Sequence, residues 1–167
     1  ICSAPGAGLA DDKAIYTFMP DIIKFYLGEE PILKNIKTWR CYDIKECKYV
    51  INNLEKLVVK EVHGSGGYGM LIGSKASKKE LKIFKNKIKK VPDNFIAQPI
   101  LSLSTVPIFD KTSLSERHVD LRPFSLIGHK KFKLVNGALT RVALKKNSLI
   151  VNSSQGGGVK DTWVLAD

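Results

Sequence analysis

Apolar positions recur along this chain with a helical period in some stretches and a strand-like period in others. After a loop holding Gly6 and Gly8, Ile15, Phe18, Met19, Ile22 and Tyr26 form a helical stripe. Pro20 suits the first turn of that stripe's second piece, and Gly28 suits its end. Thr38 to Cys41 reads as a short strand. Asp43-x-x-Glu46 is a capping-box variant ahead of Ile44, Cys47, Val50, Ile51 and Leu54, which predicts a second helix. A β-rich run over 57–62 is followed by a glycine loop over 63–69 and a short apolar run over 70–72. Leu81, Phe84, Ile88 and Val91 then predict an amphipathic helix with Lys78, Lys82, Lys85 and Lys89 on another face. Residues 94–104 read as strand, hinge and strand. From Arg117 onward the pattern is β over 118–127, 131–135, 138–144 and 149–152, with turn signals at Gly128-His129 and Asn136-Gly137. These elements predict an α+β protein in two lobes.

The chain has 167 residues, 44% of them hydrophobic and 26% charged, which suits a globular domain or two small lobes. No run approaches the ~18 apolar residues of a membrane span, so no membrane is expected and a cytoplasmic location is. The start has neither a secretory signal pattern nor an initiator Met, so the chain reads as a piece of a longer product. Cys2, Cys41 and Cys47 have no metal-ligand spacing, and a reducing compartment is expected. Residues 75–90 hold eight lysines against one glutamate and so supply +7 of the net charge of +11. That face is either a solvated helix surface or a nucleic-acid or anion site. No aromatic side chain alternates with the lysines for base stacking, so nucleic acid is not the expected partner.

Three stretches carry candidate chemistry. Lys60 precedes a loop in which Gly64, Ser65, Gly66, Gly67 and Gly69 leave the backbone free to fold around an anion. The loop does not end in Gly-Lys-Ser/Thr and no helix follows it, so it is neither a Walker A loop nor a dinucleotide fingerprint. It is a phosphate-binding hairpin or a structural one. In Asp120-Leu121-Arg122 the outer two residues share a strand face, as a structural ion pair or as a site where Arg steadies phosphate charge while Asp binds metal or orients it. Arg141 lies among apolar strand residues, and Asn152 leads into a polar glycine-rich loop that is a ligand-approaching segment or a flexible turn.

In order, these residues spell Val59-Lys60, Gly-Ser-Gly-Gly-Tyr-Gly, Ala97-Gln98-Pro99, Arg117-His118-Val119-Asp120-Leu121-Arg122-Pro123-Phe124, Gly137-Ala138-Leu139-Thr140-Arg141-Val142-Ala143 and Val151-Asn152-Ser153-Ser154-Gln155-Gly156-Gly157-Gly158. The series resembles the C-terminal part of the bacterial circularly permuted ATP-grasp proteins, the glutathionylspermidine-synthase-like group. The openings at 3–13 and 26–33 resemble it too. The resemblance implies an incomplete, permuted ATP-grasp fold: an N-terminal loop and helical segment over 1–42, a lobe over 43–98 and a mostly antiparallel lobe over 99–167. It implies an ATP- and Mg²⁺-dependent ligase joining a small-molecule or peptide carboxylate to an amine through an acyl-phosphate. Lys60 and the Gly64–Gly69 loop would hold the phosphates, and Gln98 would lie at the hinge by the adenine. Arg122, Arg141 and Asn152 would serve catalysis, with Asp120 as a metal ligand. The family's usual Asn is Ser3 here, and its acidic metal ligands belong to an N-terminal half absent from this sequence. A non-catalytic nucleotide-binding module is the alternative reading.

Overall fold

The computed structural model describes residues 5–110, 112–129, 131–151 and 157–165. The chain divides into two compact units, Ile1–Leu101 and Ser102–Asp167. Each is α+β or β material built on one antiparallel sheet, and among the described residues all three α-helices fall in the first unit.

The first unit carries a four-stranded sheet in the order β1-β4-β2-β3, formed by β1 (Trp39–Arg40), β2 (Leu57–Glu61), β3 (Met70–Ile72) and β4 (Phe95–Pro99). Its apolar core joins Cys41, Val50, Leu54, Leu57, Val59, Leu71, Ile88, Phe95 and Ala97. Helix α1 (Met19–Leu27) starts with Pro20 in its first turn and ends at Gly28, whose φ of 69° no side chain favours. Helix α2 (Ile44–Asn52) is capped by Asp43 Oδ1, which accepts from the N–H groups of Lys45 and Glu46. The predicted capping box is only half made there. Glu46 Oε2 accepts from the N–H of Arg40 at 2.6 Å, so that carboxylate ties α2 to β1 instead of closing on its own cap. Helix α3 (Lys78–Lys90) has a full capping box from Ser77 and Glu80. It buries Ile88 and packs Leu81 and Phe84 on the core, which leaves its lysines on the outer side.

The second unit is a sheet in the order β5-β6-β7-β8, formed by β5 (Thr105–Asp110), β6 (Ser113–Ile127), β7 (Phe132–Val142) and β8 (Gly158–Thr162). Two expectations fail here. Asn136-Gly137 is not a turn: β7 runs through it, and the two residues sit opposite the register shift between Pro123 and Ser125, with Gly137 at φ 120°. A bulge, like a turn, needs a residue free to take positive φ, so the dipeptide signal does not separate the two. The turn at Gly128-His129 does join the strands, closed by the Gly128 N–H on the Lys131 carbonyl at 2.8 Å. Residues 149–151 form no strand, and Asn152 lies outside the described residues.

Candidate functional site

The first unit builds its site on β2 and the hairpin that follows. β2 pairs with β3 through Val58↔Ile72, Val59↔Leu71 and Lys60↔Met70, so residues 62–69 form the loop of a β-hairpin. Gly66, Gly67 and Gly69 adopt φ values of 67°, 77° and 68°, the left-handed conformation that a glycine-rich loop makes cheap. Gly69 is also close-packed. A Cβ there would come 2.7 Å from Cδ of Glu61, so the Glu61 carboxylate lies against the loop. Ser65 closes a turn by accepting the Tyr68 N–H at 3.2 Å. Gly64 faces Glu61 as well, its N–H donating to the Glu61 carbonyl at 3.2 Å.

Alternation along β2 buries Val59 and turns Lys60 to the other face, where it meets Gln98 of β4. Lys60 Nζ donates to Gln98 Oε1 at 2.7 Å, and Gln98 Nε2 donates to Thr38 Oγ1 at 2.8 Å. The glutamine is therefore held at both ends and fixes where the ammonium points. Burial lowers the Lys60 pKa from its ordinary value, and the nearby ammonium of Lys13 lowers it further. A half-buried, partly desolvated cation of this kind gains when a polyanion arrives.

Lys13 is the residue that periodicity and motif spacing pass over. Its N–H donates to the Val62 carbonyl at 3.2 Å, and its Nζ donates to the carbonyls of Val62, at 3.3 Å, and Gly64. The segment over 10–19 is thus fastened to the mouth of the glycine loop, and two lysines 47 positions apart in sequence share one electrostatic field. Both line a cavity of about 540 Å³ together with Asp11, Asp12, Tyr16 and Gln98. Asp12 Oδ1 accepts from the Ala14 N–H at 2.7 Å.

The second unit brings Asp120 and Arg141 together. They pair across β6 and β7, with Arg141 Nε donating to Asp120 Oδ1 at 2.7 Å and Nη2 donating to Oδ2. The side chains are 29% and 19% exposed, so this two-pronged contact is half-buried and holds the guanidinium plane in place. Asp120 raises the Arg141 pKa through the hydrogen bond. Asp120 is expected to orient Arg122 or to bind a metal; in the structure both of its oxygens accept from Arg141. It belongs to no group of three His, Cys, Asp or Glu side chains among the described residues that could hold a metal. Its carboxylate holds the Arg141 guanidinium across the ladder. Arg122, opposite Leu139, is exposed, and Asn152 lies outside the described residues.

No helix among the described residues is long and apolar enough to cross a membrane. The family model for circularly permuted ATP-grasp type 2 matches residues 1–143. An uncharacterized protein of Synechocystis sp. is 50% identical over 165 residues, which cover 99% of this chain and 34% of that protein. An uncharacterized protein of Mycobacterium tuberculosis (strain H37Rv) is 48% identical over 166 residues, 99% of this chain and 30% of its own length. A Frankia alni protein named "Putative glutamate--cysteine ligase 2-3" is 43% identical over 164 residues, 98% of this chain and 19% of its own. The chain therefore spans about a third or less of these relatives. With the family model covering more than four-fifths of its length, the chain belongs to the circularly permuted ATP-grasp type 2 family.

Proposed function

We propose that this chain carries the nucleotide-binding part of an ATP-dependent carboxylate–amine ligase. The observation that supports it is the convergence of Lys13, Lys60 and Gln98 on one cavity at the mouth of a glycine hairpin. Lys60 and Lys13 supply positive charge for the α- and β-phosphates, and the loop over Gly64, Ser65, Gly66, Gly67 and Gly69 folds against them. The backbone around Gln98 reads the adenine, while the Gln98 side chain holds Lys60. By the family resemblance, Arg122, Arg141 and Asn152 are the residues assigned to charge on the transferred phosphoryl group. The carboxylate substrate displaces ADP from the γ-phosphate to give an acyl-phosphate. The amine nitrogen then attacks the acyl carbon and phosphate leaves.

Mg²⁺ bound with the nucleotide supplies neutralising charge at the phosphates. The described residues offer Asp11 and Asp12 at the cavity but no third acidic, His or Cys partner, so the coordination shell is not built from them. The glutamate–cysteine ligase name of a relative supports amide formation with a small-molecule or peptide acid. A cytoplasmic setting, where ATP is plentiful, belongs to the same proposal.

The test is calorimetric titration of ATP, with and without Mg²⁺, into the full polypeptide that carries this chain, with Lys60→Ala beside it. Binding that the substitution abolishes is expected, and unchanged affinity refutes the role of Lys60. A non-catalytic nucleotide module is the second reading, favoured by Ser3 at the family's Asn position. It predicts ATP binding with no phosphate release when candidate acids and amines are added.

A further inference from the structure

The second unit holds too little core for the sheet it builds. Among its described residues only Arg117, Val142, Ala143 and Val151 are buried. A four-stranded sheet needs one face packed against another layer. The register divides its chemistry between two faces. Asp120↔Arg141 and Arg122↔Leu139 share one side, and Val119↔Val142, Leu121↔Thr140 and Pro123↔Ala138 share the other, which is apolar apart from Thr140.

The apolar side is hollowed. The register shift between Pro123 and Ser125 and the positive φ of Gly137 mark a bulge, which bends the sheet there. The result is a groove of about 400 Å³ lined mainly by Leu121, Pro123, Leu134, Ala138, Val164 and Leu165, with Asn136 and Thr162 as its polar side chains and no charged one. Phe132, at 65% exposed, and Trp163, at 86%, stand in solvent nearby in the chain. Exposed apolar surface of this make-up marks an interface.

We propose that this groove seats an apolar segment from the part of the polypeptide outside these 167 residues. The relatives of this chain have that length to give. The matched stretch is 34% of the Synechocystis protein and 30% of the Mycobacterium tuberculosis protein. The mostly apolar wall matches an apolar chain segment and carries no charge for an ionic ligand. A segment on the same polypeptide also meets the groove at an effective concentration of about millimolar, well above what a second copy reaches in dilute solution. The inference rests on the second unit alone and does not depend on nucleotide binding.

The test uses the full polypeptide with p-benzoylphenylalanine in place of Phe132, a swap of one exposed aromatic for another. After irradiation, the cross-linked peptide is identified by mass spectrometry in a mixture of isotopically light and heavy protein. An intramolecular cross-link to a residue outside this chain is expected. A cross-link within residues 1–167, a light–heavy cross-link between two copies, or no cross-link overturns the proposal. Should that variant not fold, hydroxyl-radical oxidation of Phe132 and Leu134 in the unmodified protein replaces it. Protection that is independent of protein concentration supports the proposal. Oxidation at the unfolded rate, or protection lost on dilution, overturns it.

Discussion

Lys60→Met separates the charge of the proposed phosphate cradle from its shape. Methionine keeps an unbranched side chain of similar reach and removes the ammonium. In the present geometry that ammonium donates to Gln98 at 2.7 Å, sits half-buried, and has its pKa lowered by burial and by Lys13. An ammonium about 4 Å from a phosphate charge, at an effective dielectric constant of ~20, is worth about 4 kcal/mol before the ion's own desolvation is subtracted. Taking about 3 kcal/mol as the net loss, the variant binds tripolyphosphate or ATP roughly a hundredfold more weakly. Stability moves much less. Losing a charge-assisted hydrogen bond costs about 1.5–3 kcal/mol, and removing a partly desolvated cation returns some of that.

The pH dependence gives a second, sharper readout. Phosphate binding favours the protonated lysine, so affinity is full below the Lys60 pKa of the free protein. It falls as pH rises through that value, which lies below the ordinary 10.5. Stability runs the other way. A lysine whose folded pKa is lowered destabilises the fold wherever it is protonated, and the penalty lifts as pH climbs from the folded value toward 10.5. Calorimetry of metal-free tripolyphosphate binding across the alkaline range, with thermal melts alongside, checks both. Equal affinity in the variant, or parallel pH profiles for the two proteins, refutes the assignment of Lys60.

Three further expectations follow from packing and burial. Asp120→Ala leaves the half-buried Arg141 without its carboxylate and is expected to cost about 1–3 kcal/mol in chemical denaturation, between the exposed and fully buried cases; no change refutes the pairing. Gly73→Ala places a Cβ 1.8 Å from the carbonyl oxygen of Leu54, a backbone atom with nowhere to swing. It should lower stability by about 1–3 kcal/mol or more through overpacking, and an unchanged melting temperature contradicts the close contact. Cys41 is 1% exposed and burial pushes its thiol up to about 12, with Cys47 adding to the shift, so alkylation at neutral pH should reach Cys41 only after unfolding. Peptide mapping after native and denaturing labelling decides this, and rapid native labelling of Cys41 refutes it.

Elements whose signal is local were legible in the sequence. Helix α1 follows from the stripe Ile15 to Tyr26 with Pro20 and Gly28 at its ends, and α2 from Asp43 ahead of its apolar positions. The hairpin around the glycine loop follows from a β-rich run, a cluster of residues free to take positive φ, and a second apolar run. Strand β5 was not legible. Pro107 interrupts its pattern, and a proline is tolerated there because β5 lies at the edge of its sheet. The start of β6 at Ser113 is not legible for a related reason: Ser113 to Glu116 offers one apolar residue, Leu114, and pairing with β5 makes the stretch a strand.

The site divides along the same line. Lys60 announces itself by standing next to the glycine loop, and Arg141 by lying in a strand of apolar neighbours. Lys13 announces nothing, because its meaning comes from two carbonyls of residues 62 and 64 and from a cavity wall assembled by tertiary contact. Asp120 shows the converse. Its i, i+2 spacing to Arg122 places the two on one face, yet a bond across the ladder reaches a directly opposed residue more closely than one two positions along the strand. Asp120 is therefore bound to Arg141, its register partner, 21 positions away in sequence. Same-strand spacing identifies which side chains share a face. Which of them meet is decided by the register, and in this sheet the register pairs Asp120 with Arg141 and not with its same-strand neighbour Arg122.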